Sequence, residues 1–309
     1  MKTKTPLMYL FLIVILMLVP GCLPNFPQPA RTENPVGTLP TEAQETPVKT
    51  DFSLEKIRNA EYVLGDGSTS INLKDGSYDL LEGNNSLRVS LLEKVVFADL
   101  DGDGNEDAAV ILVENYGGTG QFEYLVPVLN FDGEAYPIKG FYLGDRVAVD
   151  SMNYVGEQIT LDMLVHGPND GLCCPSKPTT RSFEYYPGYG FRLVHITSGT
   201  EGPSFHEILL DTPVSGSTIS SQFQVSGSFT VSPFEATLVV RVLDMNDLII
   251  YQGSIMAPVL NLGDPGSFID MVDMTSVNPP PGLVRVEVFE VSMADGSILV
   301  MDSKLVILE

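Results

Sequence analysis

The residues whose types and spacing best suit chemistry form an acidic segment, Asp-Leu-Asp-Gly-Asp-Gly-Asn-Glu-Asp, at positions 99–107. Four of its carboxylates can converge on one cation because the intervening glycines let the backbone turn sharply. Calcium takes about six to eight oxygen ligands of this kind. The sequence therefore predicts a structural calcium site, with a metal-free acidic turn as the alternative. The expected ligands are Asp99, Asp101, Asp103, Asn105 (through its backbone carbonyl) and Asp107.

The surroundings of this segment indicate which kind of calcium loop it is. A helix-loop-helix sensor needs a bidentate glutamate at the twelfth position, where this chain has Val110. The flanking residues 95–98 and 108–112 are short apolar runs, which are typical of buried strands. The segment resembles the strand-loop-strand calcium loops of integrin-type repeats, a resemblance that implies a structural role.

Other residues that could do chemistry are few. The adjacent Cys173 and Cys174 could form a disulfide ring that locks a turn, remain two free thiols, or act as a redox or stress sensor. The three histidines are dispersed, and the sequence contains neither a His-Glu-x-x-His pair nor a Gly-x-Ser-x-Gly elbow. We therefore assign no catalytic residues. The alternative is a cell-envelope hydrolase that uses carboxylates near Glu114 or Asp145.

Two further segments are predicted to shape the backbone. Gly117-Gly118-Thr119-Gly120 lacks the Lys-Ser/Thr that follows in a phosphate-binding loop, so it predicts a hairpin turn. Gly144-Asp145-Arg146 is expected to begin a strand, with Arg146 paired to a nearby carboxylate.

The beginning of the chain has the pattern of an export signal. Two early lysines precede an apolar run at positions 7–19, too short for a hydrocarbon core that needs about 20 residues. The run ends in Val19-Pro20-Gly21-Cys22, which resembles the lipobox of bacterial lipoproteins. We therefore expect a signal peptide at 1–21, lipidation of Cys22, and a lipid-anchored chain on the extracytoplasmic face of the membrane. An uncleaved anchor helix is the alternative.

Residues 22–50 follow as a proline-rich, polar tether that is too poor in apolar residues to form a core. The remaining chain is long enough for two domains, 52–196 and 207–309, with the Gly/Pro-rich stretch 198–203 as the boundary. The first is predicted to be a β-rich (α+β) domain that opens with a short helix at 53–60. Its expected strands are 70–73, 94–98, 108–113, 123–129, 146–154, 158–165 and 180–185.

The second domain alternates in the manner of half-buried strands. Leu238, Val240 and Val242 share one face, as do the valines at 284, 286 and 288. Short strands and frequent turns predict a β-sandwich, so the expected fold class is mainly β.

The formal net charge of −23 argues against nucleic acid and anionic lipid head groups as partners. Most of the acids are expected to form a solvated surface. The expected partners are the membrane, through the lipid anchor, and an envelope protein or wall polymer.

The C-terminal third contains a set of motifs that together point to one family: Pro213-x-x-Gly216-x-x-Ile219-Ser220-Ser221, Val225-Ser226-Gly227, Phe234–Leu238, Gly266-Ser267-Phe268, Val286–Ser292 and Asp295–Ile298. With these motifs it resembles Gmad2, an immunoglobulin-like domain of bacterial spore germination and other envelope proteins. The resemblance implies an immunoglobulin-like sandwich and a role in binding or assembly, with no catalytic residues.

The first domain is similar to a family of uncharacterised bacterial lipoproteins. The shared features are Asp99–Asp107, the glycine-rich turn, Leu143–Arg146 and Cys173-Cys174-Pro175. Together these features predict an anchored lipoprotein with a non-catalytic binding or envelope-structural role.

Overall fold

The computed structural model describes residues 52–82, 85–199 and 205–309. The predicted signal peptide at 1–21, Cys22, the tether at 22–50 and most of the 198–203 boundary lie outside these ranges. Within the described residues, no helix has both the length and the apolar character needed to cross a membrane. The fold is mainly β, as the sequence predicts.

Within the described ranges, the helices are α1 (Leu54–Arg58) and a single 3-10 turn (Phe234–Ala236). The strands of the N-terminal region are β1 (Glu61–Val63), β2 (Ser70–Asn72), β3 (Ser77–Glu82), β4 (Asn85–Ala98), β5 (Asp107–Asn115), β6 (Phe122–Phe131), β7 (Glu134–Pro137), β8 (Phe141–Asp145), β9 (Ala148–Val155), β10 (Gln158–Val165), β11 (Lys177–Tyr186) and β12 (Gly190–Gly199). Those that follow are β13 (Phe205–His206), β14 (Ile208–Thr212), β15 (Thr218–Ile219), β16 (Gln222–Phe229), β17 (Thr237–Asp244), β18 (Ile249–Met256), β19 (Gly266–Asp273), β20 (Gly282–Val291) and β21 (Ile298–Leu308).

The N-terminal region is built around a six-stranded sheet in the order β3-β4-β5-β6-β7, with β8 also paired to β6. Both faces of the central strand β5 are buried. Ala108 and Val110 pack with residues of α1, β1 and β2, whereas Ala109 and Ile111 pack against β9 to β12. A strand buried on both faces reads as a continuous apolar run, which explains the lack of alternation at 108–112.

The C-terminal region is a sandwich of a three-stranded sheet, β14-β16-β19, and the strands β18-β17-β20-β21. The predicted alternation is confirmed: Val240 lies opposite Val288 and Val242 opposite Val286, and all four side chains are buried in one core. Removing such rows of branched side chains from water drives the two sheets together.

The two regions share one sheet. β12 pairs with β21 through His195↔Asp302 and Ile196↔Met301, so the order β18-β17-β20-β21-β12-β11-β10-β9 is continuous. A small apolar cluster that includes Phe289 covers this junction. The two regions therefore keep separate hydrophobic cores but are joined by backbone pairing.

Most predicted elements are present with shifted ends. The helix begins after Ser53, whose hydroxyl accepts a hydrogen bond from the Lys56 backbone as an N-cap. Residues 158–165 form β10 as predicted. In the N-terminal region, the strands β1, β3, β7, β8 and β12 are not predicted by the sequence. Gly144 and Asp145 end β8 instead of beginning a strand, and Arg146 follows with a φ of 51°.

Candidate functional site

The acidic segment 99–107 is the hairpin loop between β4 and β5, which is closed by the pair Ala98↔Asp107. Gly102 and Gly104 have φ values of 80° and 86°. Side chains with a Cβ rarely adopt this left-handed region, so the glycines permit the compact loop.

Three carboxylates of this loop converge. Asp99, Asp101 and Asp107 each place one ligand oxygen within 4.8 Å of the others. Asp103 accepts hydrogen bonds from the backbone and side-chain amides of Asn105, at 2.7 and 2.8 Å. The structure thus groups three of the five predicted ligands, and the remaining two bond to each other. An all-oxygen, all-carboxylate donor set fits a hard divalent cation such as calcium.

The backbone orients two of the three grouped carboxylates. Asp99 accepts hydrogen bonds from the N–H groups of Gly102 and Gly104, at 2.8 and 3.0 Å. Asp107 is 1% exposed and accepts hydrogen bonds from the backbone of Leu100 and Asn130, at 2.9 and 2.8 Å. Burial raises the pKa of Asp107, and these hydrogen bonds oppose the shift.

The loop forms one wall of a cleft of about 630 Å³. Its other walls come from the β9–β10 turn, from the end of β11 and from two segments of the C-terminal domain. The lining includes Asp99, Asp101, Tyr154, Glu157, Glu184, Tyr185, Tyr186, Ser215, Gly216 and Leu305. Among the lining residues that the structure describes, none is a lysine or an arginine.

Hydrogen bonds fix several of these walls. The Tyr154 hydroxyl donates to the carbonyl oxygen of Asp99 at 3.3 Å, which ties the β9–β10 turn to the acidic loop. Glu184 accepts hydrogen bonds from Gln158 Nε2, at 2.7 Å, and from the Tyr186 hydroxyl. Burial, together with the Glu184 carboxylate, raises the pKa of Tyr186, so this hydroxyl stays protonated and continues to donate.

The acidic loop also influences Tyr185, one of the tyrosines that line the cleft. Burial raises the pKa of Tyr185, and the negative charges of Asp101 and Asp107 raise it further. Its ring packs edge-on against Phe191, with 6.0 Å between ring centroids. The cleft therefore presents neutral phenol groups next to carboxylates.

The two adjacent cysteines lie away from the cleft lining. Cys173 and Cys174 are joined by a disulfide in the β10–β11 loop. Asp170 organises that loop by accepting hydrogen bonds from the backbone of Gly167 and Ser176. Cys22 lies outside the described residues.

The two carboxylates of the hydrolase alternative are both engaged. Glu114 is fully buried and accepts hydrogen bonds from the Gly65 backbone, at 2.8 Å, and from the Tyr116 hydroxyl, at 2.7 Å. Asp145 forms an ion pair with Arg146, the local pairing that the sequence predicts. Both carboxylates thus take part in local contacts of the N-terminal region.

Sequence reasoning missed a further buried carboxyl group, that of Glu123 in β6, which is 5% exposed. Its position held a detectable signal, because a charged residue stands among apolar neighbours in a strand.

Comparison with known families gives a match in the C-terminal region. A family model described as Gmad2, the immunoglobulin-like domain of bacterial spore germination, matches residues 207–297. Comparison with curated proteins and with solved structures found no match. The matched residues form the two-sheet sandwich, whose core includes Phe223, Phe229 and Phe268. The C-terminal third of this chain is an immunoglobulin-like domain of the Gmad2 family.

Proposed function

We propose that this chain is a membrane-anchored extracytoplasmic lipoprotein with a non-catalytic binding role in the cell envelope. The observation that carries the proposal is the cleft of about 630 Å³ between the acidic loop and the Gmad2 domain. Ligand sites commonly have volumes of about 300–1,000 Å³ and lie between domains. The ligand is an envelope protein or a wall polymer that contacts both regions at once.

The chemistry of the lining supports binding of polar or cationic groups. Tyr154, Tyr185 and Tyr186 offer flat aromatic surfaces and hydroxyls, and Glu157 and Glu184 offer carboxylates. Aromatic faces next to carboxylates attract ammonium and guanidinium groups. A polyanion would be repelled by the same lining and by the net charge of −23.

Calcium has a structural role in this proposal. Asp99, Asp101 and Asp107 would hold the ion, which would offset the repulsion among three close carboxylates. Because Asp99 and Asp101 also line the cleft, the ion would keep this wall in place for the ligand.

Attachment to the membrane rests on Cys22 in this proposal. Each methylene of an acyl chain on that residue would add about 0.8 kcal/mol to the free energy of membrane binding when it is buried in the bilayer. Several chains suffice for stable anchoring. Replacing Cys22 with serine should leave an unprocessed precursor on a denaturing gel and prevent incorporation of labelled fatty acid. Normal maturation and labelling of that variant would refute the anchor.

The binding role is tested at the cleft with the purified full-length protein. Tyr154→Ala combined with Glu157→Ala removes two exposed lining side chains from one turn. We expect this variant to lose most of its binding to isolated wall polymer or to envelope protein in a sedimentation assay.

The matched control is Tyr136→Ala combined with Glu93→Ala, which removes the same two residue types from exposed positions elsewhere. The control should bind as the unmodified protein does. Equal binding by both double variants would exclude the cleft as the binding site.

A further inference from the structure

A second concave site lies on the six-stranded sheet, near the start of β4 and away from the acidic loop that follows β4. It is a pocket of about 200 Å³ lined by residues of three adjacent strands. Ser90, Val113 and Glu123 form one row, because Ser90 pairs with Val113 and Val113 pairs with Glu123. Residues directly opposite one another in a sheet point to the same face, so these three side chains share the floor of the pocket.

Glu123 is the chemically distinctive residue of this pocket. It is only 5% exposed, and its Oε2 atom has no hydrogen-bond partner among the described residues. Burial raises the pKa of Glu123 to about 7, and the positive charge of Lys94 opposes that shift. An unpartnered buried carboxyl oxygen costs free energy unless a donor reaches it.

The other lining groups indicate what kind of donor fits. Leu92 and Val113 provide apolar surface beside the carboxyl group, whereas Ser90 and Gln121 provide neutral polar groups. Arg88 also lines the pocket, but its Nε donates to the Asp79 carboxylate at 2.8 Å, which compensates its charge. The pocket thus combines one acidic acceptor with walls suited to methylene groups.

We propose that this pocket binds a primary ammonium group on a short alkyl chain, such as the end of a lysine-like side chain, with Glu123 as its counter-ion. An ammonium group offers three donors and a positive charge, so it can both donate to the carboxylate and neutralise its charge. The alkyl chain lies against Leu92 and Val113. An anionic ligand would instead be repelled by the ionised Glu123 carboxylate.

The test is a calorimetric titration of the full-length protein with n-butylamine. It is done at about pH 8, which lies above the raised pKa of Glu123. Butyrate and butan-1-ol serve as anionic and neutral probes of similar length. We expect butylamine to bind and the other two probes to bind at least about tenfold more weakly, because only the amine forms a charge-assisted hydrogen bond.

Two variants assign the binding to this pocket. Glu123→Gln keeps the shape and removes the charge, and should weaken butylamine binding by at least about tenfold. Ser90→Leu fills the pocket without altering Glu123 and should also abolish binding. Glu93→Gln removes one charge from an exposed position of β4 and should have no effect on butylamine binding.

The proposal is overturned if butylamine binds the Glu123→Gln variant as tightly as the unmodified protein, if butyrate binds better, or if the protein binds none of the probes. The Tyr154/Glu157 variant should retain butylamine binding, because its changes lie in the other cleft. A lack of butylamine binding in this pocket can therefore be told apart from a lack of envelope-ligand binding in the other cleft.

Discussion

His195 of β12 lies directly opposite Asp302 of β21, at the point where one sheet passes from the N-terminal region into the Gmad2 domain. The Nδ1 atom of His195 is 3.6 Å from Asp302 Oδ1, and its Nε2 atom is 3.1 Å from Glu207 Oε1. Asp302 also accepts a hydrogen bond from the Leu210 backbone at 2.7 Å. One imidazole thus connects strands of both regions and the segment between them.

This junction should make stability depend on pH. Burial lowers the pKa of His195, but the hydrogen bonds and charges of Asp302 and Glu207 outweigh it and raise the pKa above 6.5. A raised histidine pKa stabilises the fold fully below the unfolded value near 6.5, and this stabilisation is lost as pH rises through the folded pKa. In urea unfolding, the wild type should lose more stability than His195→Gln between about pH 6 and pH 8.

His206 provides a control of opposite sign. Burial and the nearby Lys177 lower its pKa, so its effect destabilises the fold as pH falls below 6.5. Between about pH 6 and pH 8, His206→Gln should therefore lose more stability than the wild type, whereas His195→Gln should lose less. The same pH profile for both variants would contradict the assignment of His195.

Calcium should raise the melting temperature if the acidic loop binds it. With a Kd near 0.1 mM, as in extracellular modules, about 1 mM calcium stabilises a protein by about 1.4 kcal/mol, or about 3–6 °C here. Asp101→Asn should remove this shift, because Asp101 belongs to the carboxylate cluster. Asp150→Asn, at an exposed position outside the loop, should retain it. A melting temperature that is equal in EDTA and in calcium would reject the site.

A buried ion pair between β17 and β20 should contribute far more to the free energy of unfolding than an exposed ion pair does. Glu287, 3% exposed, accepts hydrogen bonds from Arg241 and lies 3.4 Å from Arg285. Glu287→Gln leaves the largely buried Arg241 guanidinium without its counter-charge and should destabilise the protein by about 3 kcal/mol, although Arg285 retains its ion pair with Asp247. Arg88→Gln breaks the exposed pair with Asp79 and should cost less than about 1 kcal/mol. Chemical denaturation of both variants measures the difference.

Gly227 should be intolerant of a side chain. A Cβ at this position would lie 2.1 Å from the Leu209 carbonyl oxygen and 2.7 Å from the Phe268 ring. Gly227→Ala should therefore lower the melting temperature clearly, because backbone must move to relieve the contact. Gly118→Ala, at a position with open space around it, should have little effect. Equal melting temperatures of the two variants would show that β14 and β16 can move apart at no cost in free energy.

Local patterns were sufficient for much of the fold. The alternation at 238–242 and 284–288 predicts the two strands that pair as Val240↔Val288, because a period of two places side chains on one face. The turn at 117–120 follows from glycine content alone and joins β5 to β6. The spacing 99–107 predicts the loop and four converging carboxylates, of which the structure groups three, because Asp103 bonds to Asn105 instead.

The sequence by itself thus determined the mainly β fold and the position of the acidic loop, because periodicity and turn residues act over a few positions. Its motifs between positions 213 and 298 carried the resemblance to the Gmad2 family, which the family model confirms. Only the tertiary structure decided which strands share a sheet, that His195 meets Asp302, and that Tyr185 borders a cleft with Ser215. These contacts join residues far apart in the chain, and no local spacing encodes them. The burial of Glu123 likewise depends on strands that lie next to it only after folding.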